Sequence, residues 1–129
     1  MRGFIRKWAV PVGCGLFALL IFRFVLFVGY VPTGSMEPSI MAGSVVLGTR
    51  IMGGLRTGDV IVFRHDGALL VKRVAGIPGD QVHLSGSTLE VPDRHYYVLG
   101  DNECASIDSR CWSDPFVNRE DVVAVVFAR

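Results

Sequence analysis

Cysteine and histidine are scarce in this 129-residue chain, three of each, and their placement excludes whole classes of chemistry. His65, His83 and His95 each fall in or beside an expected strand or turn, too scattered to form a Ser-His relay. Cys104 and Cys111 have no nearby His or Cys to complete a zinc set, so neither a metal nor a cofactor is expected. Charge excess is missing as well. Thirteen basic against twelve acidic residues leave a net charge of +1, too balanced for a nucleic-acid surface. No internal repeat, low-complexity tract or block of like charge occurs, and helical periodicity is absent beyond the first thirty or so residues.

Half of the residues are hydrophobic, and the excess is concentrated at the start. Arg2, Arg6 and Lys7 precede the apolar run Trp8 to Phe22, and a second run, Phe24 to Val31, follows Arg23. Such a pattern reads as a membrane anchor, with cationic flanks that stay on the cytoplasmic side. Arg23 then lies near the far interface with its stem snorkelling outward. A cleaved signal peptide would show a small-x-small site after its apolar core, and residues 23–28 offer none. The expected division is a basic cytoplasmic segment at 1–7, a transmembrane anchor and membrane-proximal segment at 8–30, and an extracytoplasmic domain at 31–129.

The remaining residues, about 100, suit one modest domain. Ser44 to Leu47, Asp59 to Arg64, Leu69 to Ala75, Gln81 to Leu84, Thr88 to Val91, Tyr96 to Leu99 and Val122 to Phe127 read as strands separated by Gly, Pro, Asp and Ser. His65-Asp66-Gly67 signals a tight hairpin. The expected fold is therefore mainly β, a compact antiparallel sheet or barrel-like core behind one N-terminal helix. Gly100 to Arg119 is the longest stretch without strand character, and its polar residues mark a functional loop. Cys104 and Cys111 fall within it, outside the cytosol in this topology, where a short disulfide-closed loop is the expected pairing.

Two residues carry candidate chemistry. Ser35 stands in the turn-rich stretch Val31-Pro32-Thr33-Gly34-Ser35-Met36-Glu37-Pro38, and Lys72 stands between aliphatic neighbours in Val71-Lys72-Arg73-Val74. A serine becomes nucleophilic when a base removes its proton, and a lysine kept neutral by burial can be that base. Either residue alone would be ordinary, a loop serine and a solvated lysine.

Four boxes in order change that reading: residues 31–38, Gly58-Asp59-Val60-Ile61-Val62-Phe63, Val71 to Asp80, and Gly100-Asp101-Asn102 followed by Ser106-x-Asp108-Ser109-Arg110. The sequence from Arg23 to Ala124 resembles the type I signal peptidases of bacteria in their minimal Gram-positive-like form, without the large extra β domain of many Gram-negative members. The resemblance implies a membrane-bound serine endopeptidase that removes signal peptides from exported preproteins after small-x-small sites. It implies Ser35 as nucleophile, Lys72 as general base, and Thr33 with the Ser35 amide as oxyanion hole. Ser106 matches the serine that orients the lysine amine, and Asp108 and Arg110 match a supporting ion pair. Val31, Pro32, Met36, Ile40, Leu70 and Val71 match positions that line the substrate pockets. Lysine at position 72, where related endoplasmic-reticulum peptidases carry histidine, places the chain with the lysine-dependent branch.

Glu103, Asn118 and Ala124 depart from the family pattern, where a basic residue, a proline and a glycine are usual, and the segment Cys111 to Phe116 is slightly long. The implied partners are signal peptides and the lipid bilayer. Two other readings start from the same boxes: a peptidase dedicated to one or a few substrates, and a non-catalytic homologue serving pilus assembly, which the joint presence of Ser35 and Lys72 disfavours. A self-cleaving Ser-Lys repressor would need a cytosolic DNA-binding module, which the anchor contradicts.

Overall fold

The structure, a computed structural model, describes residues 1–127; residues 128 and 129, the end of the expected extracytoplasmic domain, lie outside the described residues. One long helix, α1 (Arg2–Phe24), is followed by nine strands: β1 (Leu26–Val31), β2 (Ser44–Thr49), β3 (Val60–His65), β4 (Ala68–Gly76), β5 (Gln81–Leu84), β6 (Ser87–Glu90), β7 (His95–Leu99), β8 (Phe116–Asn118) and β9 (Val122–Val126). The mainly β, antiparallel fold expected from the sequence is what forms.

Helix α1 buries none of its residues against the rest of the protein, and its mean hydropathy of 1.6 makes it long and apolar enough to cross a bilayer. It stops earlier than its hydrophobicity alone suggests. Residues 26–31 switch to a period of two, with Phe27 and Val31 buried while Val28 and Tyr30 point outward. The segment pairs along its whole length with β2. The folded body therefore starts at Leu26, inside the stretch 8–30 assigned above to the anchor and its membrane-proximal segment, because alternation outweighs overall hydrophobicity once a partner strand is present.

Seven strands form one antiparallel sheet in the order β1-β2-β9-β3-β4-β7-β8, with β1 and β8 at its edges, and β5 and β6 form a separate hairpin. Strand β3 lies at the middle and is buried on both faces. Val60 and Val62 join Phe27, Val31, Met36 and Ala124 in one apolar cluster. Ile61 and Phe63 join Val74, Val98, Val117 and Val122 in a second. Burying each such side chain contributes about 1.5–3 kcal/mol. The β3–β4 turn forms where Asp-Gly announced it, with positive φ at both Asp66 (48°) and Gly67 (79°), the pair of values that a two-residue primed turn requires.

The long loop after β7 is less featureless than its sequence. It contains a single turn of 3-10 helix at Glu103–Ala105 and the three-residue strand β8. Ser109 fastens it to β7: its hydroxyl accepts from the Val98 amide at 3.0 Å, and its own amide donates to the Val98 carbonyl at 3.2 Å. The expected disulfide is not formed. Cys104 and Cys111 are both free and exposed. Hydrogen bonds to Ser109 and Asp108 order the loop without a covalent link.

Candidate active site

Period-two alternation along β4 decides which cation goes inside. Lys72 turns inward and is 4% exposed, while Arg73 turns to the other face. The turn after β1 brings Ser35, 7% exposed, against the lysine, and Lys72 Nζ donates to Ser35 Oγ at 2.8 Å. Burial pushes the Lys72 pKa below its ordinary value of 10.5, and the attraction of Asp108 only partly opposes that shift. Thr33 Oγ1 lies 3.5 Å from Ser35 Oγ.

The Ser35 turn is held by the long loop. Asn102 donates its amide to the Ser35 carbonyl at 2.9 Å and its side-chain Nδ2 to the Gly34 carbonyl at 3.0 Å, so one residue fixes both peptide units around the hydroxyl. Gly100 makes that approach possible. A Cβ there would overlap Ser106 Oγ and stand 2.7 Å from the Ser35 carbonyl oxygen. Both residues belong to the Gly100-Asp101-Asn102 box, yet neither was singled out from sequence. A glycine next to a polar pair between a strand and the long loop was the available signal.

Asp108 is fully buried beneath this arrangement. Its carboxylate accepts from the Gly100 amide at 2.9 Å, Ser106 Oγ at 2.8 Å, and Arg110 through its amide and through Nε and Nη2 at 2.9 and 2.8 Å. Burial alone would raise its pKa, but these donors, Arg110 foremost, hold it down at about 2. The expected Asp108–Arg110 pair is present as a two-pronged contact. The Ser106 hydroxyl is committed to Asp108, and Lys72 makes no hydrogen bond to it.

A cleft of about 140 Å³ opens beside Ser35 and Lys72, lined by Tyr30, Val31, Pro32 and Thr33 on one side and Leu69, Leu70 and Val71 on the other. Four of the six expected pocket residues, Val31, Pro32, Leu70 and Val71, line it. The other two do not. Met36 is fully buried in the core, and Ile40 borders a separate apolar groove beside β2. Both follow the turn, where the chain dives under the sheet.

The histidines stay away from the pair. His65 stacks on Trp112 with ring centroids 4.0 Å apart, His83 bonds Thr88, and His95 bonds the Asp93 carbonyl. Among the described residues no group of His, Cys, Asp and Glu is arranged to hold a metal ion.

A buried amine thus meets a serine hydroxyl at the mouth of a small apolar cleft in a β-sheet body, and the class of protein follows from the chain's relatives. Residues 5–94 and 83–129 match the model of the family described as signal peptidase, peptidase S26, and the chain belongs to that family. It is 32% identical to a probable signal peptidase I-2 of Synechocystis, over 88% of this chain and 67% of that protein. Two proteins of Bacillus subtilis, signal peptidase I U at 32% and signal peptidase I S at 27% identity, align with 81% and 82% of this chain and with 77% and 78% of their own lengths. The chain is thus a peptidase.

Proposed function

We propose that Ser35 and Lys72 form the catalytic dyad of a membrane-anchored endopeptidase that removes signal peptides. The observation that carries this reading is the 2.8 Å contact between a buried amine and a buried hydroxyl, with desolvation favouring the neutral amine. Neutral Lys72 takes the Ser35 proton as Oγ attacks the scissile carbonyl. The tetrahedral oxyanion is met by the Ser35 amide and the Thr33 hydroxyl. Lys72, now an ammonium, gives its proton to the departing amine. Lys72, neutral again, takes a proton from the water that attacks the ester and returns it to Ser35 Oγ as the acid product leaves.

Substrate geometry follows from two unpaired edges. Strand β1 is a sheet edge, and β4 pairs with β7 over Arg73, Val74 and Gly76, which leaves residues 69–72 without a partner on that side among the described residues. An extended peptide entering between Tyr30–Thr33 and Leu69–Lys72 adds as a strand and presents alternate side chains to the cleft. A cavity of about 140 Å³ walled by Val31, Pro32, Leu70 and Val71 favours alanine-sized groups, hence small-x-small sites.

Membrane placement completes the reading. Helix α1 spans the bilayer once with Arg2, Arg6 and Lys7 inside, and the sheet lies on the outer face. The outer face of β1–β2 supports this, since Val28 lies across from Leu47 and Tyr30 from Val45, and all four are exposed. The relatives' names favour neither a single-substrate role nor a non-catalytic one.

Detergent-solubilised protein incubated with a preprotein whose signal peptide ends in Ala-x-Ala tests the proposal by mass analysis of the products. One cut after the second alanine, lost in Ser35→Ala, is expected. An uncut preprotein, or cleavage that survives Ser35→Ala, would refute it.

A further inference from the structure

Between helix and sheet there is no linker. Helix α1 ends at Phe24, Val25 closes it by donating its amide to the Ile21 carbonyl at 2.8 Å, and β1 begins at the next residue. One residue just past the end of β2 grips this joint through both its backbone and its side chain. The Arg50 amide donates to the Val25 carbonyl at 2.7 Å, Arg50 Nε donates to the Leu26 carbonyl at 3.1 Å, and the guanidinium sits 5.2 Å from the centroid of the Phe27 ring. Three consecutive residues are held by one.

The grip extends toward the active site. The buried Phe27 ring lies against Gly29, where a Cβ would come within 2.6 Å of Phe27 Cε1. Gly29 is two residues before Val31, where the wall of the cleft turns into the Ser35 loop. Strand β1, about 20 Å long, therefore joins the gripped end of the helix to the turn that carries Ser35.

We propose that Arg50 is a positioning residue that locks α1 to the sheet, so that the cleft is held at a fixed depth and angle over the membrane. This rests on the reading of α1 as a membrane span and of the site as a signal peptidase's. A rigid joint concentrates the active site at the level where an inserted signal peptide presents its cleavage site. A loose joint spreads it over a larger volume and lowers the effective concentration. Free peptide in solution gains nothing from the lock.

The test compares two substrates that share one cleavage site: a preprotein whose signal peptide is inserted in phosphatidylcholine vesicles, and a short soluble peptide. Full-length wild type, Arg50→Ala and Arg50→Lys are reconstituted in the same vesicles. Expected is a drop on the order of 10-fold in kcat/KM for the inserted preprotein in both variants, with soluble-peptide cleavage unchanged. The lysine keeps the charge but not the Nε contact, so it is expected to behave like alanine. A short Gly-Ser insert after Val25 should reproduce the drop. Equal loss on both substrates would make Arg50 a stabiliser of the site, and no loss on either would leave the joint without a role; each overturns the proposal. A wild-type chain that cut neither substrate would instead sink the signal-peptidase reading itself.

Discussion

Lys72 and Arg73 are adjacent cations on one strand with opposite fates. Lys72 is sealed inside with a neutral hydroxyl as its hydrogen-bond partner among the described residues, and its pKa falls. Arg73, on the other face with its side chain 24% exposed, meets Asp101 through Nε at 2.9 Å and Nη2 at 2.7 Å and the Gly58 carbonyl through Nη1 at 2.8 Å, and its pKa rises. The nearest buried anion could have kept Lys72 charged. Asp108, however, is already saturated by Arg110, Ser106 and the Gly100 amide. One cation is denied a close counter-charge and its pKa falls; the other receives one and its pKa rises.

The sharpest way to break this contrast is to remove each cation in turn. Lys72→Met should lower peptidase turnover by on the order of 10⁴-fold or more, and Ser35→Ala should do the same with no further loss in the double variant, since the two act as one unit. Arg73→Met should retain measurable turnover. Wild-type activity should fall on the acidic side as Lys72 becomes protonated, at a pH below the range expected of an exposed lysine, because burial has lowered its pKa. A rate that stays flat well into acid would contradict the amine base.

Thr33→Val sharpens the same picture from the side of the oxyanion. If its hydroxyl meets charge that exists only in the transition state, kcat should drop by about 10²-fold while KM barely moves, and Thr33→Ser should be mild. Equal kcat for the valine and threonine enzymes would remove Thr33 from the mechanism.

How legible this was in sequence differs from residue to residue. Lys72 and Ser35 were readable because ordered boxes place them, and the Asp66-Gly67 turn because its backbone needs are local. Strand β1 was hidden since Leu26 to Val31 is apolar enough to pass for membrane span, and only pairing with β2 shows the alternation. Met36 and Ile40 were assigned to substrate pockets because burial and pocket-lining look alike in an apolar sequence; the turn after Ser35 sends both under the sheet. The Asn102 clamp depends on a loop crossing 67 positions downstream of Ser35, and no local pattern encodes such a contact. The Cys104–Cys111 pairing failed for a related reason, as closeness in sequence does not make two thiols face each other.

Asp108 links the two halves of the comparison, and Asp108→Asn should act on both stability and pH dependence. With a folded pKa of about 2 against an ordinary 3.8, its carboxylate contributes roughly 2 kcal/mol, present above the ordinary value and lost as pH falls through 2. Denaturant unfolding should therefore show the variant weakened by about that amount at pH 7 and little different from wild type near pH 2. Its negative charge also raises the Lys72 pKa, so the acid limb of any residual activity should move to lower pH. A limb that stayed in place would show that Asp108 does not act on the lysine.

The smallest effect is the most diagnostic of how the two cations differ. Lys72 has a folded pKa below its unfolded 10.5, so folding costs free energy at any pH where the unfolded lysine is charged, by about 1.4 kcal/mol per pKa unit of depression at pH values below the folded pKa. Lys72→Met should accordingly raise the melting temperature at pH 7, and the gain should shrink as the pH approaches 10.5. Arg73→Met should do the reverse, lowering stability by about 1–2 kcal/mol as Asp101 is left without its partner. Because Arg73 holds the Asp101 pKa down, that loss should be present at neutral pH and fade in acid, where Asp101 is protonated. Thermal unfolding of the two variants at neutral, acidic and alkaline pH measures both signs at once. If both substitutions destabilised at pH 7, the buried amine would be a structural ion after all, and the contrast between the two faces of β4 would be one of position alone.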